Sequence, residues 1–68
     1  MKKDEVLRKL VIAWREEKKT MNICLDVFLD CSIPYFTRCS CFSEALRHQK
    51  EIENLEHKII MRVLVLYR

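Results

Sequence analysis

Six residues have side chains whose chemistry could reach beyond packing: Cys24, Cys31, Cys39, Cys41, His48 and His57. Thiolates and imidazoles are the usual ligands of structural zinc, which favours closely spaced cysteine pairs on a tight turn. The one close pair is Cys39-Ser40-Cys41, whose single intervening residue is unusual for a zinc knuckle. Cys24 and Cys31 lie a heptad apart within a helical pattern, where small apolar residues belong. These spacings read as core or loop thiols rather than ligands, with a small zinc-bound regulator as a competing reading and disulfides as a third. Reduced thiols are the default without a secretory signal. A cysteine nucleophile would need a neighbouring base. His48 and His57 are available, but both fall in polar helical stretches, and the chain has no glycine with which to build a phosphate-cradling loop. The sequence therefore suggests no enzyme, no catalytic residue, no metal ligand and no cofactor.

The elements that carry these residues emerge from the hydrophobic period. Leu7, Trp14, Met21 and Phe28 recur every seven residues, and Leu10, Cys24 and Cys31 sit three residues after members of that series. Glu17 is the exception on the seam, while Val11 and Leu25 widen it. This is a helical stripe of coiled-coil type, with charges on the other faces. It predicts a first helix over about 3–31, open to a bend near Thr20 and Asn22, where propensity falls. Asp4 and Glu5 fall in its first turn, where the helix dipole favours negative charge. Trp14 lies on the seam and reads as a core or interface anchor.

Pro34 should end that helix, because proline disfavours the α conformation at Ile33 and has no N–H for the ladder. A connection of about eight residues is expected over 34–41, with Thr37 or Ser40 available to cap a second helix. That helix is predicted over about 42–67, on the series Ala45, Ile52, Ile59 and Leu66. Phe42 and Val63 join that series, with Leu46, Leu55 and Ile60 on its flank. Two helices of similar length, each about 40 Å at the standard rise, imply an all-α, antiparallel two-helix hairpin as a single domain over 1–68. A chain of this size is marginal without staples or a partner.

Composition narrows the function. Lys and Arg number 13 against 10 Asp and Glu, for a net charge of +3. Basic and acidic residues interleave, as in Arg15-Glu16-Glu17-Lys18-Lys19, which reads as a solvated face rather than a nucleic-acid stripe. No apolar run is long enough to span a bilayer, which needs ~20 residues, and the N-terminal run is broken by Arg8 and Lys9, unlike a signal peptide. A cytoplasmic protein is expected. The segment from Ile59 to Tyr67 is apolar nearly all round, interrupted by Arg62. Its β-branched content also permits a strand. As a helix it would hide one stripe in the hairpin and leave the rest exposed, the mark of an interaction surface.

Two stretches carry a family resemblance. The first is Leu7-x-x-Leu10-Val11-x-x-Trp14-Arg15-Glu16-Glu17-Lys18-Lys19, continuing to Met21-x-x-x-Leu25. The second is Glu51-Ile52-Glu53-Asn54-Leu55-Glu56-His57-Lys58-Ile59-Ile60, with the aromatic, basic end Tyr67-Arg68. In order, spacing and total length the chain resembles the YscE/SsaE-type small co-chaperones of bacterial type III secretion systems. It departs from them in its four cysteines and its apolar connection. The resemblance implies a short helical hairpin in the bacterial cytosol. Such a hairpin would pair with a larger chaperone of tetratricopeptide-like repeats and help keep a needle subunit monomeric before export. The residues expected to meet the partner are Ile52, Leu55, Ile59, Ile60, Val63, Leu64, Leu66 and Tyr67. The alternative is a self-associating helical bundle, with a homodimer when isolated.

Overall fold

The computed structural model describes residues 4–67. Two helices account for nearly all of them: α1, Glu5–Leu29, and α2, Tyr35–Leu66. The segment from Ile59 is helix rather than strand. Three contacts fix an antiparallel register: Asp4 with Arg62, Glu17 with His48, and Phe28 with Arg38. The molecule is an all-α helical hairpin measuring 50 × 18 × 12 Å. Its radius of gyration is 15.7 Å, against about 11 Å for a globular chain of this length. A rod of this shape has little interior. Ala45 and Ile52, each 3% exposed, are its only buried side chains among the described residues.

Both helix ends at the turn differ from the sequence-based expectation. α1 stops at Leu29, before Cys31. Asp30 leaves the helical region, at φ −82° and ψ 106°. Its carboxylate accepts from the Ser32 backbone N–H at 3.0 Å and the Ser32 hydroxyl at 2.7 Å, so a side-chain turn outcompetes another helical residue. Cys31 is consequently exposed in the connection and not on the seam. α2 begins at Tyr35 instead of residue 42, so the connection is the short run Asp30–Pro34. Proline restricts what comes before it, yet its fixed φ suits the start of a helix. Pro34, at φ −55°, is the N-cap of α2, and neither Thr37 nor Ser40 caps it. The two helices have 25 and 32 residues, so they are not equal in length. α1 runs unbroken through Thr20, whose hydroxyl donates to the Glu16 carbonyl at 3.0 Å.

Each end of the rod is tied by an arginine. At the turn, Arg38 Nε donates to the Phe28 carbonyl at 2.8 Å. That carbonyl is one of the orphan acceptors in the last turn of α1, which carries no basic residue of its own. The Phe28 and Phe42 rings lie 4.7 Å apart beside it. At the open end, Asp4 caps α1 through Oδ1, which accepts from Leu7 N–H at 2.9 Å. Its Oδ2 accepts from Arg62 Nε at 3.1 Å and Nη2 at 2.7 Å. Arg62, the interruption in the apolar C-terminal run, thus closes the hairpin.

The Arg62 hydrogen bonds and the Leu7 N–H hold the Asp4 carboxyl below its usual 3.8. The two Ser32 donors do the same for Asp30. A depressed folded pKa contributes stability that is present above the unfolded value and lost as pH falls through the folded one. The share of stability owed to these two carboxylates should therefore be lost as pH falls below about 4 in thermal melts. Asp4→Asn combined with Asp30→Asn should shrink that acid limb. A limb equally steep in the double variant would assign the acid loss to other carboxylates.

Candidate partner interface

The seam consumes part of the surface expected to meet a partner. Ile52 is covered by the hairpin itself and has no area left to offer, which removes it from the expected set. Leu55, Ile59 and Val63 are half-buried. Ile60, Leu64 and Tyr67 succeed one another at helical spacing and are 57%, 59% and 84% exposed. Met61, Val65 and Leu66 are exposed beside them. Leu66 continues the seam series, but Arg62 already meets the first residue before α1. The last turn of α2 runs past the start of α1, so Leu66 lies open.

This face continues inward. Val11, Trp14, Glu56, Ile59 and Ile60 line an open cleft of about 280 Å³ between the helices. Ile60 belongs to both the cleft and the outer face, so the two form one apolar surface. Trp14 is half-buried in the cleft wall, with Lys18 Nζ 4.3 Å from its ring centroid. Its Nε1 is screened from solvent and has no hydrogen-bond partner among the described residues. A buried donor without an acceptor costs about 1–3 kcal/mol. Trp14→Phe should accordingly leave the melting temperature unchanged or raise it, whereas Trp14→Ala should lower it by ~10 °C through lost packing. A large loss in the phenylalanine variant would show that the indole N–H is satisfied in solution.

His48 departs from the expected surface position. It faces α1 and contacts Glu17, the one charged residue on the first seam, with Nδ1 and Oε2 2.5 Å apart. A single carboxylate in an apolar stripe is visible in the sequence, and the matching heptad position on the second helix would have identified its partner. His48→Leu alone should destabilise the hairpin by about 1 kcal/mol by stranding Glu17, whereas Glu17→Leu with His48→Leu should restore or exceed the original stability. Equal melts for the single and double variants would mean the pair is uncoupled. His57 is exposed.

A second apolar surface lies at the turn, where the sequence pattern places a loop. Leu29, Tyr35 and Phe36 are exposed on the ends of the helices. Phe28, Tyr35, Arg38, Cys39, Phe42 and Ser43 line a cleft of about 320 Å³ there. Cys24 and Cys41 are half-buried on facing helices, and Cys31 and Cys39 are exposed; all four thiols are free. No three metal-binding side chains converge among the described residues. No helix among them is long and apolar enough to cross a membrane.

Fold and surface together define a class: an antiparallel helical hairpin with an uncovered apolar face on its longer helix. No family model, no curated protein and no solved structure matches the chain.

Proposed function

We propose that this hairpin is a small, non-catalytic co-chaperone that completes its core on a larger helical-repeat chaperone. The observation that carries the reading is the row Ile60, Leu64 and the C-cap Tyr67, exposed at 57%, 59% and 84% at the end of a helix whose opposite face is spent in the hairpin. A patch of this kind on so small a molecule marks a docking face. An amphipathic helix read at such spacing fits a hydrophobic groove, and stacked helix pairs supply one. The resemblance to YscE/SsaE-type proteins supports the finer statement. The partner would be a tetratricopeptide-like chaperone in the bacterial cytosol, and the pair would keep a type III secretion needle subunit monomeric until export. On this reading the hairpin serves protein transport, and through it virulence, by stabilising its partner.

The test is co-expression with such a chaperone and its needle subunit. A soluble heteromeric complex should form, with the needle subunit monomeric. In the hairpin's absence the larger chaperone should lose solubility. A chain that instead forms only a stable, concentration-dependent homodimer, and ignores the chaperone, would support the self-associating four-helix bundle.

A further inference from the structure

We infer that Cys24 and Cys41 form a redox-controlled staple between α1 and α2. The placement comes from register. Glu17 and His48 touch across the seam. One heptad along α1 from Glu17 is Cys24, and one heptad back along α2 from His48 is Cys41. In an antiparallel pair these steps run the same way along the rod, so the two cysteines hold the facing positions that Glu17 and His48 hold one layer earlier. The contact of Arg38 with the Phe28 carbonyl fixes the register again on the other side of them. Both thiols are free and half-buried, so a small oxidant can reach them. The neighbouring seam residue on α2 is Ala45, 3% exposed. The side chains at Cys24, Cys41 and Ala45 are small, which favours the close approach a disulfide needs, with Cβ atoms within about 4.5 Å.

The oxidant is a small-molecule disulfide of the glutathione class. One protein thiolate attacks a glutathione sulfur, forming a mixed disulfide and releasing one glutathione thiolate. The second protein thiolate then attacks the mixed disulfide at the protein sulfur, closing the Cys24–Cys41 bond and releasing the second glutathione. Two electrons pass from the cysteines to the glutathione disulfide, and the two thiol protons end on the two glutathiones. The bond bridges the rod beside the turn and leaves the apolar face of α2 near Ile60 untouched. It is independent of what that face binds.

The experiment uses the full chain carrying Cys31→Ser and Cys39→Ser, two exposed positions, so that an intramolecular disulfide can form only between Cys24 and Cys41. Incubation with glutathione disulfide should leave no titratable thiol in the monomer. Non-reducing tryptic digestion should show the peptide containing Cys24 joined to the one containing Cys41. The melting temperature should rise on the order of 10 °C and fall back with dithiothreitol. Adding Cys41→Ser should abolish that rise. The inference is overturned if both thiols remain titratable in the monomer or if only intermolecular dimers form. A bridge that lowers the melting temperature would overturn it too, by showing that the folded helices hold the thiols apart.

Discussion

Leu64→Asp, and separately Ile60→Asp, should leave the chain helical and abolish capture of its partner. Leu64 lies outside the cleft between the helices and Ile60 only at its edge, and their exposure means that the isolated hairpin depends little on either. In a complex each would gain about 1.5–3 kcal/mol on full burial, and a buried unpaired carboxylate adds a penalty of several kcal/mol. A swing of ~3 kcal/mol already weakens affinity more than a hundredfold. The pair of readings is diagnostic: circular dichroism of each variant should match the parent, while pull-down against the partner should fail. Wild-type capture by either variant would move the interface elsewhere, and the exposed Tyr35 and Phe36 at the turn would be the next surface to vary.

The second large effect is on folding. Ile52→Ala should cost about 3 kcal/mol, and Ile52→Asp should unfold the isolated chain. A domain this size holds roughly 3–10 kcal/mol in total, and here Ile52 is one of only two buried side chains among those described. Nothing else in the rod can compensate for a cavity or a charge at that layer. Chemical denaturation of the alanine variant, with an Ile52→Val control expected to lose about 1 kcal/mol, measures this directly. An alanine variant as stable as the parent would mean that the stability of the hairpin resides at its tied ends rather than in its seam.

The heptad series makes the hairpin legible, because a stripe of Leu7, Trp14, Met21 and Phe28 facing Ala45, Ile52 and Ile59 admits few other arrangements. The boundary at the turn is not legible from the same signals. Pro34 reads equally as a stop for the helix before it and as a start for the helix after it. The deciding interaction is the Asp30–Ser32 turn, which ends α1 early and lets Pro34 open α2 at once. Tyr35 to Cys41 therefore join α2, and an exposed aromatic surface forms at a tip where the pattern shows only a loop. On the exposed face of α2, Ile60, Leu64 and Tyr67 are readable because they leave the seam at helical spacing. Ile52 departs from its expected place on that face, and Leu66 from the seam series alone. Ile52 lies where the two helices meet most fully, and Leu66 lies beyond the point where Arg62 meets Asp4. Register decides both, and register rests on cross-helix pairs such as Glu17 with His48 that one charged residue in an apolar stripe only hints at.

The most direct measurement of the docking claim is hydrogen exchange on the purified hairpin, alone and mixed with a tetratricopeptide-type secretion chaperone from the same cell. A stoichiometric complex should protect the amides of α2 from about Leu55 to Tyr67, with little change at the turn around Leu29 to Phe36. Failure to form a complex, or protection confined to the turn with the C-terminal half of α2 unchanged, would contradict it.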